Sequence, residues 1–399
     1  MAVDKALFDD PAAGVHDRRT LRAAALTAGI GWGIVGGGGR MPRADHRVRE
    51  GMHFGIFVEE RRRETSEATA FQEALELGEA ADAWGLDGVW LGEIHFNPTR
   101  SVQSAPIALA SFMAARTRRV RLGLAVTVLP LAHPLRIAEE VATVDQLSLG
   151  RFDLGIGRSG SPRAYDVLGI PYGESQARFE EALDIMRQAW KGEPFSYQGT
   201  FYRFQDTTVA PRPYQVPHPP VRMAANSPET FPFVGRMGLP LFVGLRDLDI
   251  PELRVHLVAY RAAWRQAGHP GDGDVCLRLP VYAAPTEREA LEEPRENITY
   301  FFRRHAELTR FGLGRGDTGP TDRRLSRLDQ LEKLSYEEIL EKRVAFGTTA
   351  RLTERLAGLR DELGLDGMIA ELNPGGLLPM DRMLRTLRLL THEVIPALR

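Results

Sequence analysis

A carboxylate and an imidazole two residues apart, Glu93 and His95, follow the apolar run Gly88-Val89-Trp90-Leu91. Imidazole titrates near neutral pH, so His95 is the chain's best candidate for giving or taking a proton. Glu93 would orient it or hydrogen-bond a loop. A histidine simply packed at a strand end is the alternative. A second stretch, Gly157-Arg158-Ser159-Gly160, sets small residues around one cation. Such glycines let a flat or phosphorylated ligand approach the backbone, and Arg158 would meet its negative charge. A surface salt bridge is the competing reading of Arg158. A third, Ala225-Asn226-Ser227-Pro228-Glu229-Thr230, offers an amide and two hydroxyls where an apolar run ends.

These groups need a scaffold that brings them together. Residues 127–160 read as strand, helix, strand. A β-branched run ends at Val128-Leu129, Pro130 and Pro134 punctuate a loop, and Ile137, Val141, Val144 and Leu147 recur at helical spacing. Gly150 stops that helix and 152–157 form the next strand, so a parallel βαβ unit is expected. The same rhythm covers the rest. Strands are expected at 53–58, 88–91, 121–129, 152–157, 221–225, 240–244, 275–283 and 367–372. Helices fall between them at 70–84, 105–116, 175–190, 251–267 and 349–363, with an aromatic-rich hairpin at 195–204. Eight alternations predict a single (β/α)8 TIM barrel over 51–399, with function at the carboxyl ends of the strands.

Gly155-Ile156-Gly157-Arg158-Ser159-Gly160 fits G-x-G-x-x-G, yet Pro162 interrupts and the next helix is expected only near Ser175. A dinucleotide fold is therefore disfavoured. Residues 287–342 are long, charged and partly helical. Residues 1–50 differ in composition: Arg18-Arg19 precede a weakly apolar run and four glycines. They read as a loosely attached or disordered extension, or as sequence upstream of a start at Met41 or Met52, more than as a twin-arginine signal.

Among the 399 residues the net charge is −2, so nothing points to nucleic acid or an anionic membrane as partner. No stretch is apolar enough to span a membrane. The single cysteine, Cys276, excludes an internal disulfide and fits a reducing, cytoplasmic setting; its apolar neighbours predict burial. No histidine spacing suggests a metal site.

Several stretches together resemble the bacterial luciferase family of flavin-dependent monooxygenases. The carriers are Trp90-Leu91-Gly92-Glu93-Ile94-His95-Phe96, residues 127–160, Pro211-Arg212-Pro213-Tyr214-Gln215 with Pro217-His218-Pro219-Pro220, and Asn373-Pro374-Gly375-Gly376. The resemblance runs from Met52 to the C-terminus. It implies FMN, used as FMNH2 from a separate flavin reductase, and O2 as oxidant. It also implies a flavin C4a-hydroperoxide that oxygenates a small organic substrate, and a homodimer packed through the early barrel helices. An F420-dependent hydride-transfer enzyme and a non-catalytic flavoprotein subunit are the alternatives.

Residue by residue, the family's Glu-His-His is Glu93-Ile94-His95, so the first histidine is absent and luciferase-type aldehyde oxidation is in doubt. Arg158 matches a phosphate-binding arginine. A second arginine is replaced by Gln176, with Arg178 as its substitute. Ala225, Asn226, Ser227 and Thr230 match the phosphate cradle. Ala125-Val126 matches a non-prolyl cis peptide beside the flavin ring, and Gly157 stands where the family has a cysteine. His133 matches a loop motif with a structural role. Residues 287–342 match a lid, with Gly312-Leu313-Gly314-Arg315-Gly316 as its hinge.

Overall fold

The computed structural model describes residues 51–59, 65–159, 162–312 and 321–399. The extension over 1–50 and the hinge beyond Gly312 lie outside the described residues. The chain begins with β1 (His53–Val58), α1 (Glu67–Ala83), β2 (Gly88–Leu91), α2 (Pro106–Arg116), β3 (Arg121–Leu124), β4 (Thr127–Val128) and α3 (Pro134–Leu147). Next come β5 (Phe152–Gly157), α4 (Pro162–Leu168), α5 (Ser175–Ala189), the hairpin β6 (Phe195–Gln198) and β7 (Arg203–Thr207), β8 (Val221–Ala224), α6 (Thr230–Arg236) and β9 (Leu241–Gly244). They are followed by α7 (Ile250–Gln266), β10 (Val275–Ala283), α8 (Glu287–Glu292), α9 (Arg295–Gly312), α10 (Thr321–Glu332) and α11 (Tyr336–Lys342). The chain closes with β11 (Ala345–Gly347), α12 (Thr349–Leu363), β12 (Gly367–Glu371) and α13 (Met380–Leu389).

The parallel sheet runs β12-β1-β2-β3-β5-β8-β9-β10, with β4 continuing β3, and β10 pairs back onto β12. Eight positions around the ring therefore close the expected barrel. Period-two alternation divides each strand between two cores. Phe54, Ile56, Val89, Leu91, Leu122, Leu124, Leu154, Ile156, Leu277 and Leu279 point outward into the layer shared with the helices. Phe57, Trp90, Phe242, Cys276 and Ile369 fill the bore, with Ala125, Val126 and Ala224 packed against them.

Glycines on neighbouring strands make room for the large rings. A Cβ on Gly123 would lie 2.2 Å from Trp90 Cε3, and one on Gly155 would lie 1.9 Å from the Leu124 carbonyl and 2.9 Å from Phe242 Cε2. The Trp90 and Phe242 rings meet edge-to-face at 4.7 Å between centroids. Below them, charges seal the amino-terminal end of the bore. Arg121 Nε donates to Asp153 at 2.7 Å, and Arg222 to Asp274 at 2.6 Å. Gln215 of the Pro-Arg-Pro-Tyr-Gln stretch is bound there too: its side-chain amide donates to Asp145 at 2.7 Å and to the Phe152 carbonyl at 2.7 Å. That motif is thus a buried clasp between α3 and β5.

Local signals explain the element ends. His133 caps α3, its Nδ1 accepting the Leu135 N–H at 3.3 Å, and Pro134 supplies the favoured first helical residue. The expected structural role of His133 holds. Asp249 and Glu252 form a capping box on α7. Cys276 is buried, as its apolar neighbours predict.

Two expectations are corrected. The strand expected over 121–129 is interrupted: Ala125 and Val126 separate β3 from β4, and the peptide between them is cis. A helix, α4, begins at Pro162 rather than near Ser175. Proline breaks a helix interior but is well suited to the first turn, where its missing N–H leaves no bond unmade. The closed barrel independently excludes a dinucleotide-type open sheet.

The described residues of 287–342 form α8 to α11, which share a small core of Ile298, Phe301, Phe302, Ala306, Leu328, Leu331 and Ile339 with the neighbouring Val344. The buried Arg343 anchors it by donating to the Leu248 carbonyl at 2.6 Å and the Leu245 carbonyl at 3.1 Å. Those carbonyls follow β9, at the carboxyl end of the barrel.

Candidate active site

The turn after β2 brings the two proposed proton-handling groups together. Glu93 Oε1 lies 3.0 Å from His95 Nε2 and accepts the Val128 backbone N–H at 3.3 Å. The His95 side chain is 24% exposed and that of Glu93 11%, so the imidazole meets solvent or ligand while its partner is shielded. Ile94 donates its backbone N–H to the Gln103 carbonyl at 2.9 Å, which holds this turn in place.

Val126 lies at the break between β3 and β4. A Cβ on Gly157 would sit 2.6 Å from Val126 Cγ2, so the space opened by this glycine is filled by the valine. Ala125, Val126 and Ala224 then present small apolar groups above the Trp90–Phe242 pair. The hydroxyl of Thr127, next in the chain, is buried and has no hydrogen-bond partner among the described residues.

Arg158 and the 225–230 turn are neighbours because β5 pairs with β8, with Ile156 opposite Met223. That register sets Arg158 level with Ala225, each two residues further on. The Arg158 guanidinium has no ion-pair partner among the described residues, and its backbone carbonyl accepts from the Tyr165 hydroxyl. Ala225 donates its N–H to the Phe242 carbonyl at 3.0 Å. Ser227 and Thr230 share a hydroxyl–hydroxyl bond of 2.8 Å at the start of α6, and Asn226 is exposed beside them.

Gln176 and Arg178 lie on the first turn of α5, shortly after Tyr172, whose hydroxyl donates to the Ser159 carbonyl at 3.1 Å. Gln176 bonds Glu180. Arg178 donates to Glu174 at 2.9 Å and stacks on Phe201 at 4.3 Å, so its charge is already balanced.

The fold adds several charged residues that no sequence motif marks. Arg278 lies over the Phe57 ring at 3.5 Å and donates to Glu371 at 3.0 Å. Burial opposes its charge, but Glu371 and Glu59 outweigh that cost and raise its pKa. Glu59 in turn pairs with Arg100. Phe57, Glu59, Gln103, Glu371 and Asn373 line a cleft of about 590 Å³ at the carboxyl end of the barrel. His305 of α9 meets Asp247 at 2.6 Å. Burial would raise the Asp247 carboxyl, but the facing His305 and Arg246 hold it well below the usual range. One signal was available. Arg278 and Glu371 are charged residues inside apolar strands, in the inward-facing register.

Closure of the sheet, with these titratable groups gathered at the carboxyl ends of its strands, defines a TIM-barrel enzyme. The barrel surrounds a core rather than a pore, so chemistry belongs to the loops above it. The chain belongs to the luciferase-like monooxygenase family, a class of oxidoreductases, whose model matches residues 52–367. The oxygenase component of flavin-dependent trigonelline monooxygenase from Acinetobacter baylyi is 30% identical over 259 residues, 62% of this chain and 70% of that protein. Monooxygenase RslO1 from Streptomyces bottropensis superposes with a TM-score of 0.71 at 28% identity, covering 86% of this chain and 99% of that one. An F420-dependent glucose-6-phosphate dehydrogenase from Kineococcus radiotolerans is 37% identical over 165 residues, 40% of this chain and 48% of that protein. Among the described residues, no helix is long and apolar enough to cross a membrane and no group of side chains could hold a metal ion.

Proposed function

We propose that the chain is the oxygenase of a two-component system, taking FMNH2 from a separate reductase and using O2 to oxygenate a small organic molecule. The observation that carries this reading is the placement of Arg158, which has no ion-pair partner among the described residues, just past the end of β5 and beside β8, whose following turn holds the Ser227–Thr230 hydroxyl pair. A phosphate dianion needs a cation and several donors within reach; Arg158 would be the cation and this turn would supply donors. The small side chains of Ala125, Val126 and Ala224 suit one face of a flat ring. Reduced flavin bound there supplies the electrons that activate O2, one oxygen atom going to the substrate and the other leaving as water.

The chain's own residues do the rest. Arg158, Asn226, Ser227 and Thr230 hold the phosphate, while Ala125, Val126 and Gly157 shape the surface for the ring. His95 moves a proton at Nε2 or Nδ1, and Glu93 fixes the ring's orientation through its 3.0 Å contact. The helices α8 to α11 cover the carboxyl end and exclude water. Exposed Phe112 on α2 and Leu147 at the end of α3 suit pairing with a second copy.

An anaerobic titration with reduced FMN, followed by mixing with O2 and recording flavin absorbance, tests the reading. Binding of FMNH2 and oxygenation of a substrate support it. Binding of reduced F420 with no binding of FMNH2 overturns it in favour of hydride transfer, the reading favoured by the F420-dependent relative.

A further inference from the structure

A second cleft, of about 470 Å³, opens between α9 and three barrel loops. The loop after β2 contributes Thr99 and Arg100, that after β9 Arg246, and that after β12 Pro374 and Gly375. Its cations are unevenly satisfied. Arg100 pairs with Glu59. Arg246 Nε lies 3.2 Å from Asp247, which also binds His305 at 2.6 Å. Arg304 has no carboxylate partner among the described residues: its terminal nitrogen donates to the neutral Thr99 hydroxyl, and its buried Nε has no acceptor. Burial holds His305 below its ordinary imidazole value, so at neutral pH the lining keeps a net positive charge centred on Arg304. Tyr300, Phe301 and Leu308 add an aromatic and apolar wall. The cleft also borders the one holding Phe57 and Glu371, because Glu59 lines that cleft while its partner Arg100 lines this one.

We propose that this cleft selects the substrate: a monoanionic organic acid whose carboxylate lies on Arg304 and whose apolar body lies on Tyr300, Phe301 and Leu308. A guanidinium is planar and presents paired donors that match a carboxylate, which a neutral amide or alcohol does not reproduce. One uncompensated cation suits a monoanion rather than a dianion. The proposal rests on the barrel mouth being the reaction site of an oxygenase, as argued above.

Calorimetric titration of the full chain with benzoate, phenylacetate and decanoate, and with the three corresponding primary amides, tests it without turnover. The carboxylates are expected to bind at least about tenfold more tightly than the amides, the scale of a charge-assisted hydrogen bond. Arg304→Gln is expected to abolish that preference and Arg304→Lys to keep part of it, with the thermal midpoint unchanged in both. Should the glutamine variant misfold, the lysine variant still reads the charge. Amides binding as well as carboxylates, a preference surviving in Arg304→Gln, or no carboxylate binding at all overturns the proposal. Reduced FMN titrated into the same samples keeps the two readings separate, because flavin binding can fail while carboxylate binding succeeds, and the reverse.

Discussion

One oxygen of Glu93 contacts His95 Nε2 at 3.0 Å and the Val128 backbone N–H at 3.3 Å, so the imidazole is tied to the strand that follows Val126. The pair thus links the proposed proton-transfer group to the proposed flavin surface. His95→Gln removes the imidazole and keeps similar bulk. Substrate oxygenation is expected to fall about a hundredfold or more, the usual contribution of a positioned acid or base, while FMNH2 binding is retained. Full oxygenation in this variant would make His95 a packed residue only.

Gly157 and Val126 form a tight steric pair. Gly157→Ala places a methyl 2.6 Å from Val126 Cγ2. Overpacking of this kind costs about 1 to 3 kcal/mol. Urea unfolding is expected to show that loss, and Val126→Ala added to it is expected to restore most of it. Without recovery in the double variant, the contact is not the cause.

The Arg278–Glu371 pair sits at the top of the bore, with Glu371 almost fully buried. Glu371→Gln leaves a guanidinium without its main counter-charge and is expected to cost about 3 kcal/mol. Arg278→Met with Glu371→Leu removes both charges and is expected to cost less than the single change. Chemical denaturation of the three proteins decides the order.

Acid is expected to loosen α9. Burial lowers the His305 pKa on folding, so between its folded and unfolded values the unfolded chain binds more protons. Stability from this group is therefore full above the unfolded value of about 6.5 and declines as pH falls below it. The depressed Asp247 carboxyl acts lower, its contribution being lost only below the ordinary carboxylate range. Protection factors in α9, which allow for the intrinsic slowing of amide exchange in acid, are expected to fall from about pH 7.5 to about 5.5, and His305→Asn is expected to flatten that dependence. An equal slope in the variant would assign it to other groups.

Phe112 on α2 is 54% exposed. Phe112→Asp is expected to convert a dimer into a monomer by light scattering, with the thermal midpoint little changed. A wild-type monomer would refute the dimer outright.

Strand and helix positions were legible because inward and outward residues alternate and turns carry glycine or proline. The β5 loop with Arg158 and the 225–230 turn were legible as separate groups for the same reason. Helix α4 is hidden in the sequence because a proline such as Pro162 suits both a helix break and a helix start. The break at 125–126 left no periodic signal, since Ala and Val both suit a strand.

By its own residue types and spacing, the sequence determined eight alternating units, the identity of the dyad Glu93–His95 and the lone cation Arg158. Local periodicity and turn chemistry act over a few residues, so they can be read along the chain. Only the tertiary structure decided that Arg278 would face Glu371 across 93 residues, or His305 face Asp247 across 58. Barrel closure and the docking of α9 create those contacts: the Arg278 charge is tolerated because a distant carboxylate offsets its burial, and the Asp247 charge because His305 and Arg246 face it.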